Sequence, residues 1–227
     1  MSALILNIDT ALPEASICIA RGGRSIGMAE NNEQQDHAAW IHLAIASLLQ
    51  ETGCALQELD AIAVTGGPGS YTGLRVGLST AKGFCFTLQK PLIVENTLKV
   101  MAVAAANIHP REDEVLFCPM VDARRMEVFT AIYSPQLEAL LSPRAIVLDD
   151  TWLDHFPLEK EVLFFGNGSS KFRLMNIAGT RHRFSNIQSH AGHLAILADE
   201  LFRDKKFEDL ATAVPFYGKE FYTPAQK

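Results

Sequence analysis

The chain has 227 residues, 48% of them hydrophobic and 20% charged, which is enough apolar material for a packed core and excludes an intrinsically disordered chain. Lys and Arg number 20 against 26 Asp and Glu, a formal net charge of −6, so the broadly basic character of a stand-alone nucleic-acid binder is missing. No apolar run reaches the roughly 18 residues of a membrane-spanning helix, and Cys18, Cys54, Cys85 and Cys118 are scattered without a Cys-x-x-Cys pair, as expected of buried thiols in a reducing, cytoplasmic compartment.

In chain order, residues 4–9 form an apolar run without a preceding basic segment and read as a first strand, not a signal peptide. Residues 16–20 follow a turn at Ala11-Leu12-Pro13-Glu14, and Gly22-Gly23 turns the chain into a third strand over residues 25–30. A helix is expected over residues 36–50 with Gly53 as its stop, then a buried strand over residues 61–65. Residues 72–88 read as a helix, residues 92–95 as a strand and residues 98–106 as a helix.

His109-Pro110 and the charged Arg111-Glu112-Asp113-Glu114 mark the best boundary, dividing the chain into residues 1–108 and 109–227. Beyond it, residues 115–121 and 126–133 read as paired strands around Asp122-Ala123-Arg124-Arg125. Residues 163–166 are a strand entering a glycine turn, and residues 191–202 a helix. Both halves open on a β-hairpin and then alternate helices with strands, which suggests an α/β protein of two related lobes flanking a cleft.

The most informative segment is Gly66-Gly67-Pro68-Gly69-Ser70-Tyr71-Thr72-Gly73-Leu74-Arg75-Val76-Gly77. A strand feeding a glycine turn that opens a helix suits an anion at the helix N-terminus. The specific versions fail: Leu74-Arg75 follow Gly73 where a Walker loop needs Lys-Ser/Thr, and Ser70 lacks the flanking glycines of a nucleophile elbow. Along the helix, Gly73, Gly77 and Ala81 form one small-residue stripe. A helical glycine costs about 0.8–1 kcal/mol against alanine, so Gly77 and Gly83 together cost roughly 2 kcal/mol. Close approach of another backbone offsets this, either inside the lobe or across a subunit interface. The preceding helix, with Trp40, Ile41, Ile45, Leu48 and Leu49, is apolar around too much of its circumference for an ordinary surface helix. The two helices together form a candidate protein interface.

Charge is uneven as well. Residues 25–74 contain no Lys or Arg but hold Glu30, Glu33, Asp36, Glu51, Glu58 and Asp60. That pattern reads either as a solvated acidic face or as a surface steering a basic partner.

Three segments resemble the TsaB (YeaZ) family: the glycine motif from Gly67 to Gly77, the opening Ile8-Asp9-Thr10, and Asp122-Ala123-Arg124-Arg125-Met126-Glu127-Val128. The resemblance implies an actin-like (ASKHA) fold of two ribonuclease-H-like lobes with mixed sheets. It also implies a non-catalytic subunit in the synthesis of threonylcarbamoyladenosine beside the tRNA anticodon. Such a subunit pairs with the catalytic paralogue TsaD through first-lobe helices, is joined by the ATPase subunit TsaE, and reaches tRNA chiefly through the complex. The expected interface residues are His37, Trp40, Ile41, Ile45, Gly73, Gly77 and Ala81, with a homodimer when the chain is alone and no membrane partner.

The candidate chemistry is sparse. TsaD-type enzymes carry a histidine pair on a helix after the fifth strand, whereas this chain has Asn96-Thr97-Leu98-Lys99-Val100-Met101 there. No catalytic or metal-ligating residue is therefore expected, and a metallopeptidase reading has little support. His37 and His42 are too far apart around a helix to share an ion, and His190 and His193 lack a third ligand. Asp9 and Asp122 end corresponding strands of the two lobes. They either face Mg²⁺-ATP, as in an autonomous phosphotransferase, or cap tight turns. Gly166-Asn167-Gly168 lies where this fold contacts a nucleotide, or is a turn needing positive φ. No resident cofactor is expected, with ATP or ADP in a cleft of Asp9, Gly166, Asn167 and Gly168 as the alternative. Arg124 and Arg125 either bind anions in that cleft or cover its rim.

Overall fold

Leu4–Asp9 (β1) is buried at every position because helices cover both faces of its sheet. Leu4, Leu6 and Ile8 point to one side, into a core shared with Ile41, Ile45, Leu48 and Leu78. Ile5 points to the other, against Leu194 and Leu197. Between them the buried Asn7 donates its amide NH₂ to the Ile5 and Cys18 carbonyls, while its Oδ1 has no hydrogen-bond partner among the described residues. The structure is a computed structural model and describes residues 2–32, 37–109, 114–149, 152, 160–175 and 181–218. Glu33, Asp36 and residues 110–113 of the expected boundary lie outside the described residues.

The first sheet adds Ala15–Arg21 (β2), Arg24–Asn31 (β3), Ala61–Thr65 (β4) and Leu92–Glu95 (β5) in the order β3-β2-β1-β4-β5. β1 runs antiparallel to β2, with Asp9 opposite Ser16, and parallel to β4, with Ile8 opposite Val64. Leu116–Asp122 (β6), Glu127–Tyr133 (β7), Ala139–Val147 (β8), Val162–Phe165 (β9) and His182–Phe184 (β10) form the second sheet in the order β10-β9-β6-β7-β8. An antiparallel meander extended by two parallel strands occurs in both sheets, so β6 occupies the place of β1 and β9 that of β4. The two-lobe expectation is met by this repeated topology.

The helices are His37–Thr52 (α1), Tyr71–Leu88 (α2), Thr97–Ile108 (α3), Ser169–Leu174 (α4) and Ala191–Arg203 (α5). α3 lies between the sheets, with Val100 and Val103 in the first core and Leu98 and Met101 in the second. α5 returns to the first sheet, where the Ala191 N–H donates to Ser16 Oγ at 2.8 Å. The chain beyond it, as far as residue 218, returns to that lobe: the Phe216 N–H donates to the Gly66 carbonyl at 2.7 Å. A cut at residue 108 therefore separates the two sheets but not the two lobes, because residues 191–218 complete the first one. Among the described residues no helix is long and apolar enough to cross a membrane, and all four cysteines are free thiols.

Candidate functional site

Two turns and one helical face carry the expectations drawn from the sequence. Asp9 ends β1 and is 2% exposed. Its Oδ1 accepts from Thr65 Oγ1 at 2.8 Å and from the Ala11 N–H at 3.3 Å. Burial pushes this carboxyl up to about 6, against the opposing pull of those two hydrogen bonds. Asp122 holds the matching place at the end of β6. Its Oδ1 accepts from the Arg124 N–H at 2.6 Å and from Lys171 Nζ at 2.7 Å. Partial burial pushes Asp122 up, but the Lys171 and Arg124 bonds and charges outweigh it and hold the carboxyl below the usual range. Both aspartates cap tight turns, the second of the two readings drawn from their positions.

The glycine turn after β9 is equally self-contained. Gly166 has φ near +90°, which a side chain disfavours, and an added Cβ would meet the Met120 carbonyl. Asn167 Oδ1 accepts from the Asp122 N–H at 2.9 Å, tying the two turns of the second lobe together. The Gly168 N–H donates to the Met120 carbonyl and the Ser169 N–H to the Gly166 carbonyl. Each of these N–H groups, which in a phosphate-binding turn would face an anion, already has an acceptor inside the protein. Arg124 and Arg125 are exposed, at positive φ of 67° and 50°, and form the tip of the β6–β7 hairpin.

The one close histidine pair among the described residues serves a helix end. His190 Nδ1 accepts from the Gly192 N–H and His193 Nδ1 from the His190 N–H, so the two rings cap α5, stacked 3.9 Å apart. Burial, then the neighbouring His190, pushes His193 down to about 4. Among the described residues no three His, Cys, Asp or Glu side chains are placed to hold a metal ion. Asn96, the first residue of the stretch after β5, caps α3 by accepting from the Leu98 N–H at 2.9 Å.

The helical face requires a correction. Gly73 and Gly77 lie against β1: an added Cβ would meet the Thr10 carbonyl at Gly73 and the Thr10 hydroxyl at Gly77. Thr10 Oγ1 in turn donates to the Gly73 carbonyl at 2.7 Å. Ala81, Ile41 and Ile45 are buried in the same core, and His37 is buried at the start of α1. The small-residue stripe therefore serves packing within the lobe, and Ile41, Ile45, Gly73, Gly77 and Ala81 offer a partner no surface. Trp40 is half-buried at the edge of this core.

What the helices do present lies on their other side. Exposed positions of α1 are Ala38, Ala39, His42, Leu43, Ala46, Ser47 and Gln50, with no formal charge before Glu51. On α2 the exposed run includes Ser79, Gly83, Phe86 and Thr87. Leu43 and Phe86 are 73% and 71% exposed. A groove of about 430 Å³ between the helices is lined by His42, Gly83, Phe84 and Leu88, with the His42 and Phe84 rings 6.3 Å apart. Of the acidic residues in the described part of this stretch, Glu30, Glu51 and Glu58 are exposed, Glu58 accepts from the Ala55 N–H, and Asp60 accepts from the Leu4 N–H. The sequence reading missed Leu43, Phe84 and Phe86, because helical spacing alone does not say which apolar stripe faces inward.

Comparison with known proteins supplies the family. Residues 27–217 match the model of the family described as TsaD, tRNA N6-adenosine threonylcarbamoyltransferase. The tRNA threonylcarbamoyladenosine biosynthesis protein TsaB of Bacillus subtilis is 30% identical over 219 residues, covering 94% of this chain and 93% of that one. A tRNA N6-adenosine threonylcarbamoyltransferase of Symbiobacterium thermophilum is 30% identical over 153 residues, but these span 60% of this chain and 45% of that protein. The solved structure of YeaZ from Pseudomonas aeruginosa superposes with a TM-score of 0.79 at 23% identity, covering 95% of this chain and 99% of that one. The fold is thus that of the YeaZ structures, two mixed sheets in an actin-like pair of lobes, and the chain belongs to the TsaB (YeaZ) family.

Proposed function

We propose that this protein is a non-catalytic subunit of tRNA threonylcarbamoyladenosine synthesis that docks onto a TsaD-type transferase through the outer face of α1 and α2. The observation that carries the reading is the uncharged, apolar face of α1 from Ala38 to Gln50 beside the exposed Phe86 of α2. A surface helix normally turns charge to water, while depletion of charge marks the core of a protein interface. The absence of the enzymes' histidine pair, with Asn96 serving as a helix cap instead, supports the non-catalytic role. The net charge of −6 supports contact with tRNA chiefly through partners, TsaD and the ATPase TsaE, in the cytoplasm. In isolation the same face pairs with a second copy of the chain.

We prefer this reading to an autonomous phosphotransferase. Its two carboxylates, Asp9 and Asp122, are engaged by Thr65, Ala11, Arg124 and Lys171, and the N–H groups of Gly168 and Ser169 in the glycine turn donate to internal carbonyls. We therefore assign the chain no resident nucleotide.

Reconstitution with purified transferase, ATPase and tRNA, leaving out one protein at a time, tests the role. Modification is expected to fail without this chain and to be absent with this chain alone. Full modification in its absence would overturn the proposal.

A further inference from the structure

The exposed stripe of α2 that holds Phe86 continues to the other end of the helix. Helical spacing puts Arg75 and Phe86 within about 20° of each other around the axis and roughly 16 Å apart along it. Arg75 is exposed, and it is the one Lys or Arg between Arg24 and Lys82. A surface arginine ordinarily keeps its rotamer freedom, but this one is held twice. Its guanidinium carbon lies 4.1 Å from the centre of the Tyr71 ring, one turn earlier. Its Nε donates to Tyr217 Oη at 3.0 Å, and the two tyrosine rings approach to 5.1 Å. No other acceptor among the described residues takes the remaining N–H groups of the guanidinium.

Tyr217 belongs to the segment after α5, 142 residues away in sequence, and that segment is firmly seated. Lys82 Nζ donates to the Ala213 carbonyl at 3.1 Å, and Ala213 is buried in the first core. Gly67, at φ near +109°, lets the Phe216 carbonyl approach so closely that an added Cβ would meet it. The second cation of the α2 stripe, Lys82, is thus tied to the chain, while Arg75 is oriented and still has donors to offer.

A guanidinium held in this way suits a carboxylate, which accepts two parallel N–H bonds from the planar fork. A nucleic-acid backbone presents anions in series and calls for several cations. Around Arg75 the sequence supplies none for fifty residues on one side, and the outer face of α1 carries no formal charge before Glu51. Arginine and tyrosine together are also the residue types that concentrate binding energy in protein interfaces.

We propose that Arg75 anchors one Asp or Glu side chain of the transferase at the far end of the α1–α2 face, and that Tyr217 is the positioning residue that holds it there. This rests on the docking role proposed above and adds what an apolar stripe lacks, a fixed direction for the partner along the helices.

The affinity of a purified TsaD-type transferase for the full chain, at low and at moderate salt, tests the anchor. Arg75→Gln should weaken the complex about tenfold or more, Arg75→Glu further still, and the salt dependence of wild type should flatten in Arg75→Gln. Tyr217→Phe should weaken it about threefold in the wild-type background and not at all beside Arg75→Gln, a coupling that a merely structural tyrosine does not give. Weakening by Leu43→Asp and Phe86→Asp with unchanged binding by folded Arg75→Glu overturns the anchor and leaves the docking face standing. Undiminished binding by all three overturns both. Titration with tRNA separates the other anion: loss of tRNA binding by Arg75→Gln at unchanged transferase affinity would assign the arginine to phosphate and overturn the proposal.

Discussion

The two sides of α2 show how one helix serves a core and a surface with the same residue type. On the inner side Gly73 and Gly77 let the helix sit directly against the turn after β1, where Thr10 donates its hydroxyl to the Gly73 carbonyl. On the outer side an added Cβ at Gly83 would meet no atom within 4 Å. Both interior glycines carry the same propensity cost of about 1 kcal/mol. Contacts within the lobe offset it at Gly77, and no contact among the described residues offsets it at Gly83. On that open side Gly83 lies beside Phe84 and the exposed Phe86, on the face proposed above to meet a partner.

The sharpest way to break this comparison is Gly77→Leu. Its side chain would drive α2 from Thr10 and Val64, and overpacking of this kind is expected to cost about 3 kcal/mol or more, read from urea unfolding. A folded chain of unchanged stability that no longer self-associates would instead turn the inner stripe toward a partner.

Asp9, next to Thr10, sharpens the inner side further. Its carboxyl has an ordinary value of 3.8 and rises to about 6 in the folded chain, so between those values the folded state keeps a proton that the unfolded state has lost. Stability from this group therefore falls as pH rises through that window, and above it the ionised carboxylate weighs fully against folding. Asp9→Asn keeps an acceptor for Thr65 and Ala11 and has no proton to lose. It should be more stable than wild type at neutral pH by ~3 kcal/mol at most, with the difference vanishing near pH 4. His193 runs the other way, its stabilising contribution rising as pH climbs from about 4 toward 6.5. Only the difference between the two proteins isolates Asp9. Equal stability at neutral pH would contradict the burial penalty on the ionised carboxylate.

The smallest effect belongs to the outer side. Gly83→Ala should stabilise the isolated chain by about 1 kcal/mol in thermal or urea unfolding, through helix propensity alone. Loss of stability would mean that the outer face is not open.

Much of the first lobe is legible in the sequence because most of its strands are short apolar runs, two of them, β2 and β4, closed by glycine. The strands at residues 61–65 and 92–95 coincide with β4 and β5. β8 is not legible: it is an edge strand with Pro143 inside it and exposed or half-buried residues throughout, so neither alternation nor β-propensity marks it. The return of α5 to Ser16 is not legible either, since its docking depends on a contact across 175 residues. At the candidate site, the sequence shows that α1 carries too much apolar surface, but not which stripe is the core. Ile41 and Ile45 outrank Leu43 in no local property; the sheet beneath them decides. The turn aspartates are legible as strand ends, while their partners Thr65 and Lys171 come from β4 and α4 and appear only once the strands are aligned.

The central claim is that the outer face of α1 and α2 receives the transferase. Its most direct test is the affinity of a purified TsaD-type partner for wild type and for Leu43→Asp and Phe86→Asp. Both changes lie at exposed positions and should leave unfolding stability within about 0.5 kcal/mol. Each should weaken the complex by about tenfold or more, as burying an unpaired charge in an apolar interface demands. Undiminished binding by both folded variants would contradict the account.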